Sequence, residues 1–335
     1  MKVKIAIDAM GGDFAPEACV RGAEAAVKEI SDIEIYLVGR SSEISPLIEG
    51  GKSNIHIVDA KDVIGMDESP AISVRRKKES SINKAIGMLK KGEADVFISA
   101  GNTGAVVCAA TMLLRTLPEV ERPGIAVIFP TIKGFSLMID VGANIDPKPL
   151  HLFQYGIMGA AYAELILNKK DPSLGLLNIG EEESKGTDFM RSVNTLLREG
   201  VSNYIGNIEG RDIFFGKCDV VIADGFVGNV AIKVAESVAM AIAELLKERI
   251  KRGLLSRLGA LLMLPALKSL KNDLDYTEYG GAPLLGVDGN VIICHGSSSS
   301  KAIKNSIKVA KEMVELDLKE KIKDRIVSVQ LEERK

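Results

Sequence analysis

Aromatic side chains are scarce in this chain of 335 residues, which has no tryptophan, 6 tyrosines and 9 phenylalanines. The sequence therefore lacks the aromatic surface on which nucleic-acid bases usually stack. Its formal net charge of −2 provides no positive field to attract a phosphate backbone. Both shortages argue against a nucleic-acid partner. The 46% of hydrophobic and 26% of charged residues are typical of a globular protein.

Cysteine and histidine are also few. Cys19, Cys108, Cys218 and Cys294 are far apart and form no CxxC pair, which favours reduced thiols in a cytosol over disulfides or a zinc site. No set of His, Cys and carboxylate residues has metal-ligand spacing. The sequence also lacks a Walker A motif and the three-glycine dinucleotide motif. We therefore expect neither a metal nor a cofactor.

Long apolar segments are missing as well. No uncharged run reaches the length of a bilayer span. The first residues, MKVKIAID, have a strand pattern rather than a charged leader followed by an apolar core. We expect a cytoplasmic protein that is not integral to a membrane.

Glycine-rich turns, in contrast, are abundant, and five of them follow strand-like apolar runs. The runs and their turns are 3–7 with DAMGGD (8–13), 95–98 with SAGNTG (99–104), 174–177 with NIG (178–180), 220–223 with DGFVGN (224–229), and 291–293 with CHGSS (294–298). Parallel strands of a doubly wound sheet bring such turns to one edge, where ligands bind. The recurrence predicts an enzyme cleft.

These turns are suited to binding an anion. Glycine lets backbone amides converge, and a following helix adds its positive N-terminal end, so phosphate is the natural ligand. The second turn is the best candidate because a helix-like segment, 105–117, follows it directly. The residues of these turns predicted to bind phosphate are Asp8, Gly11, Gly12, Ser99, Gly101, Asn102, Thr103, Gly104, Asp224, Gly225 and Gly228. Alternatively, each turn is only a short strand-to-helix connection.

The order of elements predicts an α/β fold. Strand patterns near 3–8, 33–38 and 54–59 alternate with helical patterns such as 16–30, which implies parallel βαβ units. The runs 124–129 and 135–141 are separated by a short PTIKG turn and predict an antiparallel hairpin. We therefore expect a mixed, mostly parallel sheet in a three-layer α/β/α sandwich, as one domain or two lobes. Long helices are predicted at 149–167, 228–250 and 299–323.

One segment does not fit a compact core. Residues 251–271 include five basic and no acidic side chains, and Pro265 should interrupt a helix there. We expect residues 240–275 to form a protruding amphipathic helical tip, whose leucine face lies on an anionic membrane surface or packs against a second subunit. The leucines of that face are Leu254, Leu255, Leu258, Leu261 and Leu262.

Seven motifs together resemble one enzyme family. They are DAMGGD (8–13), VRRKK (74–78), SAGNTGA (99–105), DVGAN (140–144), QYGIMG (154–159), DGFVGN (224–229) and YGG (279–281). From its N-terminus to about residue 315, the sequence is similar to the bacterial phosphate acyltransferases of phospholipid synthesis. The resemblance implies transfer of a fatty acyl group from acyl carrier protein to inorganic phosphate. The acyl phosphate would then pass to a membrane glycerol-3-phosphate acyltransferase. The resemblance also implies a homodimer with a fold similar to phosphotransacetylases and isopropylmalate dehydrogenases.

That reaction needs few side chains. Phosphate attacks a thioester without a strong base, so an anion site and stabilisation of the oxyanion suffice. We predict that Lys185, in GEEESKG (180–186), places a positive charge on phosphate and that the Asn229 amide donates to the thioester oxygen. The charge pattern alone favours a solvated Lys185 that offsets the glutamates at 181–183, whereas the resemblance favours the catalytic role.

The histidines and the end of the predicted hairpin provide further candidates. His295 could protonate the departing thiolate, whereas His151 lies at a helix start, where capping or packing is more typical. Asp140 and Asn144 are also predicted to contribute to the phosphate and acyl site. They could orient Lys185 or a water molecule, or could form an Asx turn.

A basic run is a candidate docking site for the acidic carrier protein, or else a solvated helix end. It consists of Arg75, Arg76, Lys77 and Lys78. Two other functions stay open. A metal- and NAD-dependent decarboxylating dehydrogenase would need carboxylates such as Asp219 and Asp224 for a divalent ion. A non-catalytic scaffold on the membrane surface would explain the tip but not the five turns.

Overall fold

The computed structural model describes residues 2–49, 54–273 and 280–333. The strands in these ranges are β1 (Val3–Asp8), β2 (Ile33–Gly39), β3 (Ile55–Asp59), β4 (Val96–Ser99), β5 (Gly124–Thr131), β6 (Gly134–Ile139), β7 (Leu174–Leu177), β8 (Tyr204–Ile208), β9 (Val220–Ile222), β10 (Ala282–Leu285) and β11 (Asn290–Ile293). The helices are α1 (Glu17–Glu29), α2 (Ser41–Ile44), α3 (Pro70–Arg76), α4 (Ser81–Lys90), α5 (Thr103–Leu113), α6 (Pro149–Leu165), α7 (Asp188–Gly200), α8 (Gly210–Phe214), α9 (Gly225–Lys251), α10 (Leu254–Leu262), α11 (Leu264–Asp273), α12 (Ser300–Glu315) and α13 (Leu318–Glu333).

The strands form one sheet whose two halves run in opposite directions. The order is β3-β2-β1-β4-β11-β10-β5-β6-β9-β7-β8. The strands from β3 to β11 are parallel to one another, and so are those from β6 to β8. Between these halves, β10 is antiparallel to β11 and to β5, and β5 is antiparallel to β6. The second half therefore runs opposite to the first.

The register brings the carboxyl ends of the two halves together. Ile293, the last residue of β11, pairs with Ala282 of β10, and two residues later β10 pairs with Ile125 of β5. Ile139, the last residue of β6, pairs with Ala126 of β5. Both halves thus end beside the start of β5. The sequence predicted that the glycine-rich turns share one edge, whereas the structure has two sets of turns that face each other across a cleft.

Helices cover both faces of the sheet. Ile5 and Ile7 of β1 pack into a core formed with α1, α6 and α12. Ala6, between them, points to the other face and packs with α4 and α5. Because side chains alternate along a strand, this division places helices above and below the sheet. The predicted three-layer α/β/α sandwich is confirmed.

The hairpin of β5 and β6 is confirmed, and so are the helices that begin after Pro16 and at Pro149. The single last helix predicted at 299–323 is wrong, because two helices, α12 and α13, occupy that region. Asp317, between them, has a φ of 52°. This left-handed conformation cannot continue a right-handed helix, and α12 ends before it.

The helical tip follows α9. The helical conformation is interrupted at Met263, between α10 and α11, and Pro265 lies in the first turn of α11. This agrees with the predicted helix–turn–helix. α9 has 27 residues and, by length and composition, could cross a bilayer. Its first turns, however, pack against the end of β6, which ties the helix to the sheet.

Candidate functional site

A cavity of about 380 Å³ lies where the two halves of the sheet meet. Its apolar lining includes Ile125, Val127, Ile128, Val141, Ile232 and Ile293. Its polar lining includes Thr103, Asn229, Lys233, Glu236, His295 and Ser298. The cavity therefore combines a surface for a hydrocarbon chain with groups that can bind an anion.

Two helices of the first half begin at this cavity. Asn102 caps α5 by accepting a hydrogen bond from the Ala105 amide at 3.0 Å, and Ser299 caps α12 in the same way. Within the described chain, the amides of Thr103 and Gly104 have no hydrogen-bond acceptor. Unpaired amides at a helix start attract anions. The start of α5 is thus suited to an anion, and the phosphate expected at this turn stays a prediction.

Behind the start of α5, several of the predicted site residues form a buried framework. The Ser99 hydroxyl donates to Oδ2 of Asp8 at 2.8 Å, and the Gly101 amide donates to Oγ of Ser99 at 3.0 Å. Asp8 is only 1% exposed, and burial raises the pKa of its carboxyl. A Cβ at Gly11 would lie 2.6 Å from the Gly101 nitrogen. These four residues therefore pack the first and second turns together.

Asn102 and Gly12 connect the turns to their neighbours. The Asn102 side-chain amide donates to three carbonyls of segment 65–68 at 2.9–3.2 Å. Since its oxygen also caps α5, the polar atoms of this side chain are already used. Gly12 lies beside the fifth turn, where a Cβ would be 2.9 Å from the Gly296 carbonyl oxygen.

Asp140 and Asn144 form the corresponding framework in the second half. The Asp140 carboxylate accepts hydrogen bonds from four backbone amides at 2.7–3.1 Å. Burial raises the pKa of Asp140, and the four amides oppose the rise. The Asn144 side chain donates to the Tyr155 hydroxyl and the Pro123 carbonyl, both at 2.6 Å. In the described chain neither side chain contacts Lys185. Asp140 forms the Asx turn by accepting from the Gly142 amide, whereas the Asn144 side chain is bound to residues outside this turn.

The start of α9 rests on this framework. Asp224 caps the helix by accepting from two amides of its first turn, at 3.0 and 2.9 Å. The Gly225 amide donates to the turn after β6 at 2.9 Å. A Cβ at Gly228 would lie 2.0 Å from the Asp140 carbonyl oxygen, so only glycine fits. This close contact fixes the direction of α9 and places Asn229 in the cavity lining.

His295 lines the cavity from the turn after β11. Its Nδ1 lies 3.2 Å from the Ser297 amide and 2.7 Å from the Ser297 hydroxyl oxygen. Because an amide N–H can only donate, Nδ1 is the acceptor, and the ring proton is on Nε2. The exposed ring can therefore donate from Nε2. His151, in contrast, is buried, and its Nδ1 accepts from the Lys148 amide at the start of α6, which is the capping role expected.

Lys185 lies on the loop after β7 and is not part of the cavity lining. Its side chain is 48% exposed, and its Nζ is 4.0 Å from Glu182. The Arg191 guanidinium donates to the two carbonyls that flank Lys185, at 3.3 and 2.9 Å. Glu181 and Glu183 pair with other cations. Lys185 therefore does not offset all three glutamates, and the structure does not bring it together with Asn229 and His295.

Two charged residues of the cavity escaped the sequence patterns. Lys233 and Glu236 lie on α9 and line the cavity. Lys233 is four residues after Asn229, and Glu236 is three after Lys233, so the three side chains share one face of the helix. Counting helical turns from Asn229 would have found them, but the long helix gave no reason to do so.

The basic run lies at the end of α3, which packs against α5. Three of its side chains are exposed: Arg75, Arg76 and Lys78. The Lys77 amine instead donates to the Val63 carbonyl at 2.7 Å and pairs with Glu68. A docking surface here would therefore consist of three cations instead of the four suggested by the sequence.

The leucine face of the tip is exposed in the chain. Leu255, Leu258, Leu261 and Leu262 are 59–85% exposed. The side chain of Leu254 lies outside the described residues, as do residues 274–275 of the tip and Tyr279 of the YGG motif.

Asp219 and Asp224, the carboxylates considered for a divalent metal, lie at opposite ends of β9. At about 3.3 Å per residue they are roughly 16 Å apart. Asp219 accepts from the Ser173 amide and hydroxyl and pairs with Lys169 at 3.2 Å, whereas Asp224 caps α9. One ion cannot contact both, so the dehydrogenase alternative loses the feature that supported it.

Comparison with known proteins gives a consistent result. The model of a family described as "Fatty acid synthesis protein" matches residues 3–321. The phosphate acyltransferase of Heliobacterium modesticaldum is 48% identical over 317 residues, which are 93% of this chain and 94% of that protein. The phosphate acyltransferase of Dictyoglomus turgidum is 49% identical over 325 residues, which are 96% of each chain.

Solved structures share the fold at low sequence identity. A phosphotransacetylase from Streptococcus pyogenes has a TM-score of 0.63 at 17% identity and covers 93% of this chain and 94% of its own. A structure described as a putative 4-hydroxythreonine-4-phosphate dehydrogenase from Salmonella typhimurium has a TM-score of 0.53 at 12% identity. The match covers 93% of this chain and 100% of that chain. At such identities the likeness concerns the fold alone. It confirms the predicted similarity to phosphotransacetylases and to a dehydrogenase fold.

Proposed function

The chain belongs to the fatty acid synthesis protein family and is an acyltransferase, and we propose that it transfers a fatty acyl group from acyl carrier protein to inorganic phosphate. The observation that carries this proposal is the composition of the cavity. The start of α5 and the polar side chains suit a phosphate. The apolar residues of β5, β11 and α9 suit a hydrocarbon chain.

In the proposed reaction, an oxygen of hydrogen phosphate attacks the thioester carbonyl carbon. A C–O bond forms, and collapse of the tetrahedral intermediate breaks the C–S bond. The Asn229 amide stabilises the oxyanion by donating a hydrogen bond. The imidazole of His295 takes up the proton of the phosphate, and the resulting imidazolium gives the proton on Nε2 to the departing thiolate. The products are an acyl phosphate and the free thiol of the carrier. No step requires a metal or a nucleotide.

Carrier docking belongs to the same proposal. The exposed cations Arg75, Arg76 and Lys78 lie at the end of α3 and just after it, next to the helix whose start lines the cavity. An acidic carrier protein would be attracted to them by charge complementarity. The acyl phosphate is a reactive mixed anhydride, so we infer rapid transfer to a membrane glycerol-3-phosphate acyltransferase.

A row of exposed apolar side chains along α9 supports a homodimer. The row has one member at every fourth residue: Phe226, Val230, Val234, Val238, Ile242 and Leu246. Rows with this spacing form ridges that pack into the grooves of another helix. Only 6% of the most apolar stretch of α9 is buried within the chain, which leaves the row open to a second copy.

The leucine face of α10 is separate from this row, so a membrane contact and a subunit contact do not compete for one surface. Arg252 and Arg257 flank those leucines, and both are exposed. Leucines beside cations favour an anionic lipid surface. We infer a cytoplasmic enzyme that attaches peripherally to the inner face of the cell membrane.

Purified protein treated with a chelator tests the reaction. Incubated with acyl carrier protein carrying a fatty acyl thioester and with inorganic phosphate, it should release free carrier thiol only when phosphate is present. Addition of NAD or magnesium should not change the rate. A strict requirement for either, or thiol release without phosphate, would contradict the proposed function.

A further inference from the structure

Lys233 brings a positive charge to the cavity from a helix whose base is fixed. Asn229 and Lys233 are one turn apart on α9, and both line the cavity. The contact between Gly228 and Asp140 holds that turn of the helix against the sheet. The position of Lys233 is therefore set by an unbroken helix and not by a loop, which favours precise placement of a functional group.

The Lys233 amine forms no ion pair with any residue that the structure describes. Within the described part of the chain, no carboxylate oxygen lies within 4.0 Å of it. Lys247, farther along the same helix, is different, because its amine pairs with Glu244 at 3.1 Å. A cation that lines a cavity without a paired anion is suited to an anionic ligand.

The start of α5 faces α9 across the cavity. It belongs to the first half of the sheet, whereas α9 follows β9 of the second half, and the strands of the two halves end toward each other. The unpaired amides of Thr103 and Gly104 and the Lys233 amine are thus contributed from both sides. An anion between them would be bound by amides and a cation together.

We propose that Lys233 binds the inorganic phosphate substrate and holds it for attack on the thioester beside Asn229. This inference rests on the proposed acyl transfer and adds the residue that binds the acceptor. It distinguishes Lys233 from Lys185, whose loop lies outside the cavity lining. Lysine suits this task because its compact ammonium binds phosphate as a point charge.

Steady-state kinetics of three variants test the proposal. Lys233→Ala should raise the KM for phosphate by roughly tenfold or more, the loss expected when one charge-assisted contact is removed. Its KM for the acylated carrier should stay within about twofold of wild type, because phosphate binding alone is affected. Lys233→Arg keeps the charge and should recover most of the loss. Lys247→Ala, a lysine of the same helix outside the cavity, should behave as wild type.

Titration of inorganic phosphate into the protein, followed by calorimetry, provides a readout that does not depend on turnover. Wild type should bind phosphate, and Lys233→Ala should bind it about tenfold more weakly or not at all. A folded Lys233→Ala protein with unchanged phosphate affinity and unchanged KM would overturn the proposal. If wild type makes no acyl phosphate, the proposed function fails, and the titration still decides whether Lys233 binds phosphate.

Discussion

Glu68 and Lys77, which lie just before and just after α3, form an ion pair. Glu68 also accepts hydrogen bonds from the Gly65 amide at 2.9 Å and the Ser73 hydroxyl at 2.6 Å. The same segment supplies the carbonyls to which Asn102 donates. A salt bridge between the two ends of α3 thus supports the segment that binds Asn102, the residue that caps the helix starting at the cavity.

Because of this ion pair, the free energy of unfolding should depend on pH in the acidic range. The hydrogen bond from Lys77 lowers the pKa of Glu68 to about 2, below its ordinary value of 4.5. Ionised Glu68 therefore stabilises the fold above about pH 4.5, and its contribution is lost as the pH falls toward 2. The free energy of unfolding in urea should fall less across this window in Glu68→Gln than in wild type. Glu93→Gln, which changes a glutamate without an ion pair in the described chain, should follow wild type. Parallel curves for Glu68→Gln and wild type would contradict the expectation.

The contact between Gly228 and Asp140 predicts a strong effect of a single methyl group. Gly228→Ala would place a Cβ 2.0 Å from a backbone oxygen, so the start of α9 must shift. We expect the free energy of unfolding to decrease by about 1–3 kcal/mol or more. Gly87→Ala is the matched control, because nothing lies within 4 Å of its new Cβ in α4. It should stabilise the protein by about 0.5–1 kcal/mol. Equal stability of Gly228→Ala and wild type would show that the contact is not rigid.

The sequence predicts catalytic roles for Asn229, which lines the cavity, and for Lys185, which does not. Asn229→Ala should lower kcat by roughly a hundredfold, the effect of losing one preorganised donor in an acyl transfer. Lys185→Ala tests the role that the sequence alone suggested: a similar loss would place Lys185 in the mechanism, and a kcat near wild type would agree with its position outside the cavity lining. Circular dichroism and thermal melting should match wild type, because both side chains lie on the surface of the cleft or its loops. A folded variant with near wild-type kcat would remove its residue from the mechanism.

Charge reversal on α3 tests the docking surface. The double variant Arg75→Glu/Arg76→Glu should raise the KM for the acylated carrier protein and leave the KM for phosphate unchanged, because steering acts on the acidic protein. The effect should shrink as salt is added. Lys90→Glu/Lys91→Glu makes the same change of charge at the end of α4. An equal rise in both double variants would indicate net charge instead of a docking surface.

Co-sedimentation with anionic liposomes tests the leucine face. Leu258→Glu and Leu262→Glu should each lose most of the membrane-bound fraction, because burial of the leucines in lipid supplies the apolar part of the binding free energy. Leu316→Glu, at an exposed leucine after α12, should sediment as wild type does. Activity in solution should be unchanged in all three. Equal sedimentation of wild type and tip variants, together with loss of dimer, would make the leucine face a subunit contact.

Local sequence patterns predicted the elements but not their mutual direction. Strands, glycine-rich turns and the hairpin of β5 and β6 follow from nearby residues. The reversal of the second half depends on long-range pairing, such as Ile139 with Ala126, which no local pattern contains. Similarly, the end of α12 depends on the left-handed conformation of one residue, Asp317. No glycine or proline at this point of the sequence indicates that the helix ends there.

The candidate site was predicted in part. Asn229, His295 and Thr103 line the cavity as the turn chemistry suggested. Asp8 and Asn144, chosen for the same chemistry, are instead bound to neighbouring groups within the framework. A sequence does not show whether a polar side chain at a strand end points to a ligand or to the protein. That depends on which turns pack together, and the register of the sheet decides it.

The length of α9 sets the distance between the cavity and the helical tip. A helix of 27 residues is about 40 Å long, and its first turns line the cavity while its last residue precedes the tip. If the tip lies on a membrane, an acyl phosphate formed at the cavity would have to travel farther than the roughly 30 Å thickness of a bilayer core to reach lipid. In a single chain, the row from Phe226 to Leu246 would provide an exposed apolar surface along most of this distance. A dimer that buries the row would cover this surface. The acyl phosphate would then have to leave through water or pass directly to a receiving protein.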